Sequence, residues 1–123
     1  MNNTIMVIDD DKGILESVKI ILQEEGYEVM SYEEAPTLSE IKRIKPQLII
    51  LDIYLQGQDG RQVAKKIKSN SETQHIPIIM ISAVSGVEQS VVQSGADEFL
   101  AKPFDLYTLV HHVHKNIQVT NVF

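Results

Sequence analysis

The chain contains no cysteine, which excludes disulfides, zinc–thiolate sites and thiol catalysis. No segment approaches the roughly 20 consecutive apolar residues that a membrane-spanning helix requires. Basic residues are in the minority: 11 Lys and Arg stand against 17 Asp and Glu, for a net charge of −6. That balance argues against nucleic acid as a direct partner, because phosphate binding needs clustered Lys and Arg. It is compatible with binding a divalent cation. The first residues, Met1-Asn2-Asn3-Thr4, have neither the basic region nor the apolar stretch of a signal peptide, so the expected location is cytoplasmic. Repeats, linkers and low-complexity tracts are also lacking. A length of 123 residues gives one domain with a real core and no room for a second. The 43% hydrophobic and 23% charged content is that of a globular chain, not a disordered one.

Strand-like and helix-like segments alternate five times, the pattern of a parallel sheet covered on both faces. The expected strands are Ile5 to Ile8, Tyr27 to Tyr32, Leu48 to Asp52, Ile76 to Ile81 and Glu98 to Ala101. The first helix is expected from about Lys12 to Glu25, with Ile14, Leu15, Val18, Ile21 and Leu22 on one stripe. Asp11 is placed to cap it and Gly26 to end it. The second runs from about Pro36 to Ile44, with Pro46 forbidding its continuation. The third covers about Gly60 to Ser69. The fourth, about Val87 to Ser94, has the poorest pattern: Ser85, Gly86 and Ser90 lower its propensity, and only Val87, Val91 and Val92 form a stripe. The last runs from about Asp105 to Ile117, and Val119 to Phe123 receive no assignment.

Each main apolar run delivers a polar group at its end. Ile5-Met6-Val7-Ile8 leads to Asp9-Asp10-Asp11, Leu48-Ile49-Ile50-Leu51 to Asp52, Ile78-Ile79-Met80-Ile81 to Ser82, and Phe99-Leu100-Ala101 to Lys102-Pro103. If these strands are parallel neighbours, all four endings meet at one sheet edge, where open α/β sheets place their sites. Asp9, Asp10 and Asp52 brought together repel one another, and a hard divalent cation relieves the conflict. Mg²⁺ takes about six oxygen ligands at about 2.0–2.1 Å and keeps several waters, so two or three carboxylates suffice. A cation, the Lys102 ammonium and the Ser82 hydroxyl together cradle a phosphoryl group. A carboxylate oxygen can carry that group covalently, and Asp52, on a central strand with a loop directly after it, is the best placed. A single Asp after a strand is usually a turn or capping residue, as Asp11 is expected to be, but the ordered set is far less easily a coincidence.

In that order the sequence resembles the response-regulator receiver domain of two-component signalling, from Ile5 to about Ile117. The resemblance rests on Val7-Ile8-Asp9-Asp10-Asp11, Leu51-Asp52-Ile53, Asp59-Gly60, Ile81-Ser82-Ala83, Gly95-Ala96-Asp97-Glu98-Phe99-Leu100 and Lys102-Pro103-Phe104. It implies a flavodoxin-like (βα)5 doubly wound parallel sheet of strand order 2-1-3-4-5, an order for which a receiver protein is itself a standard example. It implies that Asp52 accepts a phosphoryl group from a sensor histidine kinase or phosphotransfer protein. Mg²⁺, with Mn²⁺ as a substitute, would be held by Asp10, Asp52 and the Tyr54 backbone carbonyl, with Asp9 helping directly or through water. Lys102 and Ser82 would contact the phosphoryl oxygens. Phe99 stands at the family's switch aromatic, which turns when Ser82 moves and alters the surface of helix four, strand five and helix five. The Lys102-Pro103 bond would be cis. No output domain follows, so the expectation is a stand-alone regulator or one excised from a longer protein, acting on a downstream effector or attached output domain.

Departures from the family pattern set further expectations. Leu55-Gln56 replaces a common Met-Pro pair, leaving the loop after Asp52 less restrained; Tyr54 is bulky enough to shield a phosphoryl group from water; and a short segment between Ser82 and Lys102 implies a short or displaced helix four. Two other functions compete. A phosphatase of the haloacid-dehalogenase type needs a second Asp two residues after the nucleophile, and here that position is Tyr54. A phosphate-independent interaction module would not need the intact acidic and lysine positions. His111, His112 and His114 are expected on solvated surface of the last helix, with no carboxylate spaced to complete a site, and Lys65, Lys66 and Lys68 on a solvated face of helix three. Ile20 falls off its helix's stripe and is expected to be exposed.

Overall fold

The structure, a computed structural model, describes residues 3–121; Val122 and Phe123, at the end of the unassigned C-terminal stretch, lie outside them. The main strands are β1 (Thr4–Ile8), β2 (Glu28–Tyr32), β3 (Leu48–Asp52), β6 (Ile78–Ser82) and β7 (Glu98–Ala101), with β4 (Tyr54–Leu55) and β5 (Gln58–Asp59) forming a small hairpin between β3 and the third helix. The helices are α1 (Lys12–Glu24), α2 (Leu38–Ile44), α3 (Gly60–Lys68), α4 (Glu88–Gln93) and α5 (Leu106–Asn121). The large sheet is parallel in the order β2-β1-β3-β6-β7. Counting only its own strands, this is the expected 2-1-3-4-5.

Both faces of the sheet are buried, and the period of two along each strand divides the core. Ile5, Val7, Leu48, Ile50, Ile79 and Ile81 pack with Leu15, Val18 and Leu22 of α1 and Leu109, Val113 and Ile117 of α5. Met6, Ile8, Ile49, Leu51, Ile78 and Met80 pack on the other face with Ile41 of α2, Ala64 and Ile67 of α3, and Val87 and Val91 beside and within α4. The helix ends follow local chemistry. Asp11 Oδ1 accepts from the N–H groups of Gly13 and Ile14 at 2.9 and 3.2 Å, capping α1 as expected. Gly26, at φ +94°, takes the left-handed conformation that closes the helix at little cost. Thr37 Oγ1 accepts from Glu40 N–H at 3.2 Å, which starts α2 at Leu38 and leaves Pro36 outside it. Pro77 has no N–H for a ladder, and β6 begins after it rather than at Ile76.

Several expectations are corrected. The loop after Asp52 is not loose: Tyr54 pairs with Asp59 and Leu55 with Gln58. Gly57 has φ +76° at the second corner while Gln56 at the first does not have a positive φ, the type II pattern. The fourth helix is short, as expected, but Val92 is 73% exposed and does not belong to its inner stripe. Only Val87 and Val91 reach the core, because residues four apart share one side of a helix while Val92 is turned about 100° from Val91. Lys68 is not on a solvated face. It pairs with Asp97 at 2.9 Å and donates to the Ile76 carbonyl at 2.7 Å, joining α3 to the start of β6. Nor are two of the α5 histidines merely solvated, since carboxylates reach them from other elements: Glu98 of β7 lies 3.0 Å from His112 and Glu25 lies 3.3 Å from His114. Ile20 is exposed, as expected.

Candidate functional site

Strand register brings the polar endings together. Ile8 opposite Leu51 sets Asp9 level with Asp52, Asp52 opposite Ile81 sets Ser82 one step beyond, and Ser82 opposite Ala101 sets Lys102 at the next. Asp9 is fully buried and Asp52 nearly so, while Asp10 is exposed at the rim. The Lys102 ammonium lies 2.9 Å from Asp9 Oδ2 and 3.2 Å from Asp52 Oδ2. Asp9 Oδ1 accepts from Asp11 N–H at 2.9 Å, and Asp52 Oδ1 accepts from Tyr54 N–H at 3.4 Å. The Lys102-Pro103 peptide is cis, and the Lys102 N–H donates to the Ser82 carbonyl at 2.8 Å.

The electrostatics are those of crowded carboxylates with one countercharge. Burial, then the charge of Asp9, raises the pKa of Asp52 against the opposing pull of Lys102. Burial works to lower Lys102, but Asp9 and Asp52 outweigh it and its pKa is raised, so the ammonium stays charged. Carboxylate oxygens of Asp9, Asp10 and Asp52 lie within 4.8 Å of one another. Asp9 Oδ2, despite its ion pair, accepts no well-directed hydrogen bond although it is buried. Hard oxygen donors, an excess of negative charge and an incompletely satisfied buried oxygen fit a hard divalent cation.

Ser82 is buried, and its Oγ accepts from Val84 N–H at 3.1 Å. Its hydroxyl proton therefore remains to be given. Phe99 is partly buried against the cluster that includes Val87 and Val91, on the α4 side of the sheet. Tyr54 is 45% exposed, with the Arg61 guanidinium 5.4 Å from its ring centroid. Reasoning from sequence missed the part played by Gly60. A Cβ there would overlap the carbonyl oxygen of Asp52, and the Gly60 N–H donates to Ile53 O at 2.6 Å. The hairpin thus folds back until α3 starts against the backbone at the end of β3. The Asp59-Gly60 pair was the available signal, but the fold-back that gives it meaning is not local in sequence.

Fold and site define a doubly wound α/β protein of the flavodoxin-like class with an acidic, lysine-bridged centre at the carboxyl edge of its sheet. The sequence model described as "Response regulator receiver domain" matches residues 5–114. The chain is 36% identical over 108 residues to the response regulator PleD of Caulobacter vibrioides, an alignment covering 85% of this chain and 24% of PleD. Among solved structures, a CheY-like receiver domain protein of Methanospirillum hungatei superimposes with a TM-score of 0.86 at 28% identity, covering 98% of this chain and 97% of that one. NtrX of Brucella abortus gives a TM-score of 0.86 at 32% identity, over 98% of this chain and 28% of NtrX. The chain therefore belongs to the response regulator receiver domain family of two-component signalling. It spans about a quarter of the length of the curated relative it matches. Receiver domains are generally non-enzymatic signalling modules that interact with kinases and effector domains. Among the described residues no helix is long and apolar enough to cross a membrane.

Proposed function

We propose that Asp52 is the phosphoacceptor of a two-component phosphorelay and that the residues around it form its centre, within one receiver domain whose core is about residues 5–117. A phosphohistidine of a sensor histidine kinase, or of a phosphotransfer protein, is the donor. An Asp52 oxygen bonds to phosphorus while the phosphorus–nitrogen bond breaks, and the bonding pair leaves with the imidazole. Asp9, Asp10, Asp52 and the Tyr54 backbone carbonyl would hold Mg²⁺, or Mn²⁺ in its place, which when bound supplies positive charge against the phosphoryl oxygens.

Lys102 is shared between two carboxylates, and conversion of Asp52 to an acyl phosphate removes the carboxylate charge on one of them. Its ammonium is then free to pair with a phosphoryl oxygen. Ser82 offers its hydroxyl proton to another, and its displacement is felt by Phe99 and so by the α4–β7–α5 surface, which binds a downstream effector or an attached output domain. The domain turns over no outside substrate; its chemistry is confined to its own phosphorylation and dephosphorylation. Cytoplasmic kinase and effector proteins are its partners, not nucleic acid or a membrane span.

The Lys102 ammonium within 3.2 Å of both Asp9 and Asp52, beside a carboxylate cluster of metal-binding size, is the observation that carries this reading. Tyr54 in place of an acid/base Asp weighs against a phosphatase. Acetyl phosphate with Mg²⁺ is expected to leave a phosphoryl group on the peptide containing Asp52. Chelator, or Asp52→Asn, should abolish it. Equal labelling of the Asn variant would overturn the assignment, and a chain that binds no Mg²⁺ and takes no phosphoryl group would instead be a phosphate-independent interaction module.

A further inference from the structure

Arg61, in the first turn of α3, reaches three segments with one guanidinium. Its Nε and Nη2 donate to the two oxygens of Asp59 at 2.9 and 2.7 Å. Its Nη1 donates to Ser90 Oγ on α4 at 3.1 Å, and its Cζ stands 5.4 Å from the centroid of the Tyr54 ring. Asp59 and Tyr54 face each other across the β4–β5 hairpin. The ring begins two residues after Asp52, and Tyr54 N–H donates to the acceptor's Oδ1. Ser90 Oγ passes the connection on to the Val87 carbonyl at 2.7 Å.

The geometry of this arrangement is tightly determined. Two parallel hydrogen bonds to one carboxylate fix the plane of a guanidinium. With the plane fixed, its central carbon stands over the Tyr54 ring within cation–π range and Nη1 reaches Ser90. The side chain is 24% exposed, so the contact is not wholly open to solvent. α4 has few other anchors. It is six residues long, has no side-chain N-cap, and puts only Val87 and Val91 into the core at its start and centre. A helix that short owes its position to tertiary contacts.

We propose that Arg61 is a positioning residue that holds the Tyr54 ring beside the acceptor and ties it to α4, so that one guanidinium governs both the lifetime of the phosphoryl group and the mobility of α4. The lifetime half rests on Asp52 being the phosphoacceptor. While the ring is held, it restricts water at the acyl phosphate. When Ser82 and α4 shift, the Ser90 contact is what must yield.

The test is phosphoryl decay after removal of acetyl phosphate, together with amide exchange of α4 in the unphosphorylated protein. Wild type, Arg61→Ala, Arg61→Lys, Tyr54→Ala, the Arg61→Ala/Tyr54→Ala double variant and Ser90→Ala are compared, each checked for folding by circular dichroism. Both Arg61 variants are expected to lose the phosphoryl group several-fold faster, lysine failing because it lacks the fork. The double variant should decay no faster than Tyr54→Ala alone, since Arg61 acts through the ring. Ser90→Ala should keep the wild-type lifetime but exchange α4 amides faster, as should both Arg61 variants. Independent multiplication of the two single effects, or wild-type decay and exchange in Arg61→Lys, would overturn the proposal. If the wild type takes no phosphoryl group the receiver chemistry fails instead, and the exchange measurements alone decide whether Arg61 ties down α4.

Discussion

Asp52 is a buried carboxylate beside another, with one ammonium to serve both. Burial and Asp9 raise its pKa despite Lys102. Because the folded-state pKa lies above the unfolded one, the carboxyl stabilises the fold while protonated and loses that contribution as pH rises through the folded value. Once ionised, and without metal, Asp52 is therefore a net cost. Asp52→Asn is expected to be more stable than the wild type in chelator at neutral pH, and the gain should shrink as the pH is lowered. Added Mg²⁺ should reverse the order, because only the wild type keeps the full carboxylate set. Urea unfolding of the two proteins with and without Mg²⁺ checks this; an Asn variant less stable in chelator would contradict it. Gly60 is the other residue whose identity the site requires. A methyl there meets the Asp52 carbonyl, and Gly60→Ala is expected to cost about 1–3 kcal/mol and to slow phosphoryl uptake, measured by denaturation and by labelling. A variant as stable as the wild type would show that the hairpin can yield.

At the scale of elements, the β4–β5 hairpin and the N-terminus of α3 behave as one piece because Asp59 belongs to both. Its Oδ1 caps α3 by accepting from Arg61 N–H at 2.8 Å while both oxygens hold the Arg61 side chain. The Arg61 hydrogen bond is the main reason its pKa is lowered. Asp59 is 38% exposed, so the ion pair itself adds little and the cap carries most of the effect. Asp59→Ala is expected to cost about 1 kcal/mol. With the folded pKa below the unfolded one, that contribution is present above the unfolded pKa and lost as pH falls through the folded value. The stability difference between wild type and variant should thus narrow in acid, and thermal unfolding from neutral to acidic pH tests it. A constant difference would mean that the carboxylate's charge is not involved. None of this hairpin was visible in Leu55-Gln56-Gly57-Gln58, which reads as a loop. Two-residue strands carry no periodicity, and their pairing depends on α3 packing back against β3.

Across the whole molecule, the features legible in sequence are those set by alternation and by strand ends. Continuous apolar runs such as Leu48 to Leu51 told of strands covered on both sides, and a parallel sheet then carries Asp9, Asp52, Ser82 and Lys102 to one edge without further information. Contacts between distant elements were not legible. Glu98 gathering His112, Lys115 and Asn116, or Lys68 reaching Asp97, depends on which helix lies beside which strand. The stripe assigned to α4 failed at Val92, which is turned about 100° from Val91 and so leaves the side that Val87 and Val91 share. Val92 and Ile50 turn this into a quantitative contrast. Ile50 is fully buried on the central strand between α1 and α5, whereas Val92 is 73% exposed. Ile50→Ala is expected to cost about 2–5 kcal/mol through lost burial and a cavity, against about 0.5 kcal/mol or less for Val92→Ala. Both faces of the sheet share β3, so the Ile50 variant should still unfold in a single transition, with far-ultraviolet dichroism and tyrosine fluorescence coinciding. Separate transitions for the two probes would mean that the α1–α5 face and the α2–α3–α4 face are not one cooperative core. A change in Ser82 or Phe99 would then not be transmitted across the sheet.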